Sequence, residues 1–175
     1  MNKRVAILTA EGFEEVELTS PKKVLEDAGY KVDIVSPVDD PIKSWAETNW
    51  GEEFTVDRNI NKEEVKVSDY DALILPGGVL NPDQLRECKR SMQLIKDFMD
   101  AKKTIAAICH GPQSLIEAEV IKGKTLTSYK SIQKDLTNAG ANWIDKDVVI
   151  DGNLITSRTP ADLARFNKAI LEALK

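Results

Sequence analysis

The run Thr104-Ile-Ala-Ala-Ile-Cys109-His110-Gly111-Pro112-Gln113 constrains the fold more than any other stretch of the chain. Ile105 to Ile108 is apolar, of strand length and rich in strand formers, and it halts at a cysteine and a histidine. Gly111-Pro112 then turns the chain, and Pro112 suits the first position of a helix. The spacing therefore predicts a buried strand, a reactive pair and a helix in immediate succession. Cys109 at such a helix start would meet free amides and a helix dipole that favour the thiolate, so a thiol pKa well below the usual value of about 8.5 is expected. The nucleophile elbow of hydrolases has the same strand–turn–helix plan with different flanking residues. Residue types alone leave an alternative open, an inert cysteine buried at the end of a core strand.

Other apolar runs follow the same plan. Val5 to Thr9 reads as a first strand, Lys31 to Ser36 as a second and Asp71 to Pro76 as a third, with the Thr104 segment fourth. Between the first two, Glu14 to Ala28 has helical spacing, with Val16, Thr19, Val24, Leu25 and Ala28 on one face, a kink at Pro21 and Gly29 as left-handed cap. Strands joined through helices imply parallel pairing. Trp45, Trp50 and Phe54 lie in a polar stretch, Val38 to Ile60, that reads as a hairpin or irregular insertion. Asn81-Pro82-Asp83 has the form of a helix start with Asn81 as cap, and helix is expected from about Pro82 to Lys102 with a break near Arg90-Ser91. Asp151-Gly152-Asn153 between apolar runs predicts a hairpin. Leu163, Phe166, Ile170 and Leu174 form the core face of a last helix. The expectation is one α/β domain spanning 1–175, a three-layer flavodoxin-like sandwich with a mostly parallel central sheet.

Composition narrows the partners. A formal charge of −5 argues against nucleic acid, which needs a basic face. Two cysteines make no disulfide framework, and no apolar run reaches the roughly 18 residues of a membrane helix. A cytoplasmic protein without membrane attachment is expected. No Gly-x-Gly-x-x-Gly or Walker-type motif is present, and one histidine with two separated cysteines is a poor zinc set. No cofactor and no metal are therefore expected.

Ligands in an open parallel sheet bind at the carboxyl ends of its strands. Three of those ends carry unusual residues: Glu11-Gly12-Phe13-Glu14, Pro76-Gly77-Gly78 and Cys109-His110. A Gly-Gly turn lets backbone approach a bound group and can offer an amide as oxyanion donor. Each end taken singly is ordinary; their convergence would make a site.

Together with Asn138-Ala-Gly140, the Val148 to Asn153 run and Thr156-Ser157-Arg158, these blocks resemble the PfpI family of intracellular cysteine proteases and protein deglycases, in the class I glutamine-amidotransferase-like superfamily. The similarity runs along essentially the whole chain. It implies Cys109 as nucleophile, Glu14 as a protonated carboxyl beside its sulfur, and His110 as general acid/base. The oxyanion amides would be those of Gly78 and His110. It further implies a homodimer or higher homo-oligomer in which a carboxylate from a neighbouring subunit orients His110. Asp83 is the counterpart here, one residue farther along and one methylene shorter than the family's usual Glu. Glutaminases of the superfamily use a distant downstream histidine, and none follows His110.

The resemblance implies a cofactor-independent, stress-related cysteine hydrolase acting on peptides, glycated amino groups or small carbonyl compounds, with small aldehyde adducts favoured. The alternative is a non-catalytic redox sensor or chaperone that uses oxidation of Cys109.

Overall fold

The structure is a computed structural model that describes residues 3–175. In chain order, β1 (Arg4–Leu8), α1 (Glu15–Asp27) and β2 (Lys31–Ser36) make the first parallel unit. The antiparallel pair β3 (Ile42–Ala46) and β4 (Asn49–Phe54) follows, and the short β5 (Arg58–Asn59) returns beside β2. Next come β6 (Ala72–Leu75), α2 (Leu80–Arg86), α3 (Lys89–Asp100), β7 (Thr104–Ile108) and α4 (Gln113–Glu117). The remainder is β8 (Thr125–Leu126), α5 (Gln133–Asn138), β9 (Asn142–Trp143), β10 (Val148–Asp151), β11 (Leu154–Ser157) and α6 (Leu163–Ala173).

Seven strands form the central sheet in the order β10-β11-β7-β6-β1-β2-β5, and only the β10–β11 hairpin is antiparallel. Both faces are buried, which explains why these strands read as continuous apolar runs rather than alternating ones. Ala6, Leu8, Leu73, Leu75, Ile105 and Ala107 face the side covered by α2 to α5, where they meet Leu94, Ile95, Phe98 and Leu115. Val5, Ile7, Ala72, Ile74, Ala106 and Ile108 face α1 and α6, against Leu18, Leu25, Phe166 and Ile170. The result is the expected three-layer α/β sandwich. Among the described residues, no helix is long and apolar enough to cross a membrane.

Three local expectations are corrected. The core face of α1 is Glu17, Leu18, Pro21 and Leu25, whereas Val16 is exposed and the helix runs on through Pro21. The break in the next helical stretch falls at Glu87-Cys88, where the Cys88 sulfur accepts the Ser91 amide and starts α3. Asn81 is no cap: it lies inside α2 and is fully buried.

Asn81 instead ties two strand ends together. Its Oδ1 accepts the Ala10 amide at 2.7 Å, and its Nδ2 donates to the carbonyls of Pro76 and Gly77 at 3.0 and 3.1 Å. Those strand ends leave the sheet ladder exactly where the site begins, so the backbone groups need a side-chain partner. Asn81→Leu leaves the Ala10 amide and the Pro76 carbonyl without this partner, while the Gly77 carbonyl keeps the Glu14 amide, and is expected to cost about 2–4 kcal/mol in urea unfolding.

Candidate active site

Cys109 follows β7 with φ +60°, the left-handed region that a side chain adopts only under constraint. The constraint is visible. The Cys109 amide donates to Ser157 O at 3.1 Å, its carbonyl accepts the Tyr129 amide at 2.8 Å, and the Gly111 amide closes the turn on Ile108 O at 2.8 Å. The elbow aims the sulfur out of the sheet edge, where Cys109 is 8% exposed.

The three strand ends converge there. A cavity of about 540 Å³ is lined by Gly12 and Glu14 after β1, Gly78, Val79 and Leu80 after β6, and Cys109 and His110 after β7. Trp45 and Glu47 of the β3–β4 hairpin, with Tyr129, form further wall. Gly77 and Gly78 are needed for close approach. A Cβ on Gly77 would sit 2.6 Å from the Glu17 carboxyl, 2.8 Å from the Cys109 Cβ and 2.9 Å from the His110 amide nitrogen. Gly78 has φ +78°, and a Cβ there would collide with the Gly12 carbonyl oxygen at 2.5 Å. With that room, the amides of Gly78 and His110 lie close enough to the Cys109 sulfur to favour its charged form.

The carboxyl at the sulfur belongs to Glu17, and here the expectation for Glu14 is corrected. Glu14 lies at the entry to α1 in extended conformation, bridges to Trp45, and uses its Oε1 to accept the Glu47 amide at 3.1 Å. That contact holds it to the cavity wall. Glu17, in the first turn of α1, is fully buried; its Oε2 accepts the Gly77 amide at 2.7 Å and the carboxyl interacts with the Cys109 thiol. Burial pushes the Glu17 carboxyl up to about 8, so it holds its proton at neutral pH. Sequence reasoning missed it, although the 17, 18, 21, 25 spacing places a glutamate on a core stripe, an unusual position that serves as a signal.

Burial also raises the Cys109 thiol, and a charged Glu17 raises it further, against the pull of the Gly78 and His110 amides. The low thiol pKa expected from a helix start is not what the structure provides: α4 begins only at Gln113 and has five residues. The protonated Glu17 removes the opposing charge and can donate toward sulfur. Thiolate formation is thereby left to a nearby base. His110 is placed for that role, its Nδ1 3.3 Å from the Cys109 sulfur. Burial lowers the His110 pKa, which keeps the ring neutral and able to accept a proton.

Within the chain, the ring is oriented by Ser131 and Tyr129 rather than by a carboxylate. Ser131 Oγ lies 3.2 Å from Nε2, and Tyr129 stacks on the ring at 4.8 Å between centroids. An Nε2–H donating to Ser131 leaves Nδ1 free to accept from the thiol. Ser131 carries no motif and was not anticipated. Ser131→Ala is expected to slow iodoacetamide labelling of Cys109 about five-fold at pH 7, by the worth of one neutral hydrogen bond. Because Ser131 is exposed, stability should change by less than about 0.5 kcal/mol. Asp83 is exposed in the first turn of α2 and does not line the cavity.

The hairpin is docked rather than loose. The Trp45 amide donates to Phe13 O, the Gly12 amide to Lys43 O, and Glu15 accepts from both the Ser44 hydroxyl and the Glu52 amide. Trp45 and Trp50 pack edge to face at 5.5 Å.

Comparison with known proteins agrees with this architecture, since the pattern of the DJ-1/PfpI family matches residues 3–173. The chain belongs to the DJ-1/PfpI family. A Bacillus subtilis (strain 168) protein named "Putative cysteine protease YraA" is 45% identical over 175 residues, covering all of both chains. Drosophila melanogaster DJ-1beta superposes with a TM-score of 0.86 at 32% identity, over 98% of this chain and 90% of that one. A two-domain Anabaena variabilis protein with DJ-1/ThiJ/PfpI-like and ferritin-like domains gives a TM-score of 0.91 at 38% identity. That match covers 99% of this chain and about half, 48%, of the Anabaena one. DJ-1/PfpI membership accounts for the sheet order and the elbow; the chemistry of this chain still has to come from its own cavity.

Proposed function

We propose that this DJ-1/PfpI protein is a cysteine hydrolase, acting without a cofactor, in which Cys109 attacks the carbonyl carbon of glyoxal-derived adducts or of peptides. The observation that carries the reading is the convergence on one sulfur of a base 3.3 Å away at His110 Nδ1 and of two backbone amides, Gly78 and His110. A redox sensor needs a reactive sulfur but neither an oxyanion site nor a proton acceptor.

In the proposed reaction the thiol proton passes to His110 Nδ1 as the C–S bond forms. The carbonyl π pair moves to oxygen, and the Gly78 and His110 amides stabilise it. When the C–O π bond re-forms, the C–N bond to the leaving amine breaks, and the amine takes the proton from His110. Water then adds to the thioester with His110 again as base; hydroxyl goes to the acyl carbon and the proton returns to sulfur. A glyoxal adduct that has isomerised to its 2-hydroxy amide carries the amine on the carbonyl carbon and follows the same bond changes, releasing the amine and then a 2-hydroxy acid. Glu17 stays protonated throughout and keeps a second negative charge away from the sulfur.

The proposal includes a cytoplasmic, stress-related role and a homo-oligomer in which Asp83 of the partner subunit approaches His110. Incubation with glycated peptides, methylglyoxal and unmodified peptides, with rapid acid quench and peptide mass spectrometry, tests the central claim. A substrate-derived acyl mass on Cys109 during turnover is expected. Turnover of none of the three, with Cys109 instead accumulating as reversible sulfenate under mild peroxide, would favour the sensor. A strict monomer with full activity removes Asp83 from the mechanism.

A further inference from the structure

The cavity over Cys109 has a sign. Among the described residues lining it, no lysine or arginine occurs, whereas Glu14 and Glu47 stand side by side on the hairpin wall. His110 is neutral and Glu17 protonated, so these two carboxylates set the charge of the mouth. The Glu14 carboxylate is held by the Glu47 amide, bonded to its Oε1, and the Glu47 backbone is fixed at the tip between β3 and β4 with φ +56°. Apart from Glu17, Cys109, His110 and Tyr129, the rest of the wall is apolar or backbone. Trp45 adds an aromatic face to the cavity, and Val79 and Leu80 are exposed at its rim, 65% and 42%. Carboxylates beside an indole attract an organic cation with an apolar stem and repel an anion.

We infer that this cavity selects reactive carbonyls borne on basic peptides and rejects carboxylated or phosphorylated ones, with Glu14 and Glu47 as the specificity-determining residues. The inference rests on Cys109 as the reacting group and deepens the proposed function; it assigns Glu14 to substrate choice rather than to the sulfur. A full charge held about 6 Å from a carboxylate in a half-exposed cleft changes encounter with the sulfur by about ten-fold.

The test uses two methanethiosulfonate reagents of matched size, one ending in trimethylammonium and one in sulfonate. Rates at Cys109 are read by peptide mass spectrometry, which separates it from Cys88, and are divided by those for β-mercaptoethanol. The cation-to-anion ratio is expected to be about ten-fold or more above that of the free thiol in the wild type. It should fall towards the free-thiol value in Glu14→Gln/Glu47→Gln and in Glu47→Lys, where the lysine offsets Glu14, and invert in Glu14→Gln/Glu47→Lys. Glu47 is an exposed tip residue, so Glu47→Gln alone provides a folded variant if the double one fails, with an intermediate ratio expected. A wild-type ratio equal to that of the free thiol, or a ratio unmoved by the substitutions, overturns the inference. Turnover of one glycated peptide in basic, neutral and acidic versions separates the two claims. A charge ratio without turnover of any version defeats the hydrolase and leaves the selectivity standing, whereas equal turnover of all three defeats the selectivity alone.

Discussion

Replacing Cys109 with alanine is expected to lower carbonyl turnover by about a thousand-fold or more, to the level of solution chemistry. Every bond change in the proposed reaction passes through the sulfur, and the amides of Gly78 and His110 lie close to it. No neighbouring hydroxyl substitutes, because Ser131 Oγ faces the far nitrogen of His110. The same position makes a stability comparison informative. Alanine keeps the strain of a side chain at φ +60°, a conformation that costs an L-residue about 1–2 kcal/mol. Cys109→Gly should therefore be more stable than Cys109→Ala by about 1 kcal/mol while equally inactive. Urea unfolding of both variants beside a turnover assay checks the two statements together. A glycine variant no more stable than the alanine one would mean that the elbow is not strained.

The second large effect is a pH dependence of stability set by Glu17. Its folded pKa of about 8 stands above the 4.5 of an unperturbed glutamate, because burial disfavours the charge. Between those values the folded state holds a proton that the unfolded chain has released. Stability is therefore greatest below pH 4.5 with respect to this group and falls as pH rises towards 8, by about 4 kcal/mol in total. His110 acts in the opposite sense but lower: its folded pKa lies below 6.5, so its contribution is complete above 6.5 and is lost on acidification. The window from pH 6.5 to 8 isolates Glu17, and a fall of about 2 kcal/mol across it is expected in the wild type. Glu17→Gln keeps an acceptor for the Gly77 amide and a donor for sulfur, but does not titrate; its stability should be flat over that window. Glu17→Leu strands the Gly77 amide and is expected to lose about 1–3 kcal/mol at every pH. Urea midpoints at four pH values between 6.5 and 8 decide the matter, and a wild-type curve as flat as that of Glu17→Gln would place the charge elsewhere.

Much of this was legible in the chain. The strands β1, β2, β6 and β7 are buried on both faces, so each had to be a short unbroken apolar run, and unbroken runs can be seen without a structure. Gly29, Gly140 and Gly152 all take positive φ where the expected cap or turn lies. Convergence at the sheet edge was also accessible, because parallel strands put their carboxyl ends together whatever the details. What failed was anything that depends on the rotation of one element against another. Glu14 and Glu17 are three residues apart, and only the docking of the β3–β4 hairpin on Phe13 decides that Glu14 faces the hairpin wall while Glu17 faces the sulfur. Asn81 has the composition of a helix cap, yet the gap between the ends of β1 and β6 draws its amide inward.

By itself the sequence determined the layered α/β architecture, the elbow at Cys109 and the meeting of three strand ends, because these follow from hydrophobic run length, turn chemistry and parallel topology, all local along the chain. The tertiary structure alone decided which carboxyl protonates beside the sulfur, that Ser131 and Tyr129 hold His110, and that Glu14 and Glu47 give the cavity its charge. Those outcomes turn on burial and on ångström-scale approach between segments far apart in sequence, and a carboxyl's proton follows the water it has lost, not its place in the chain.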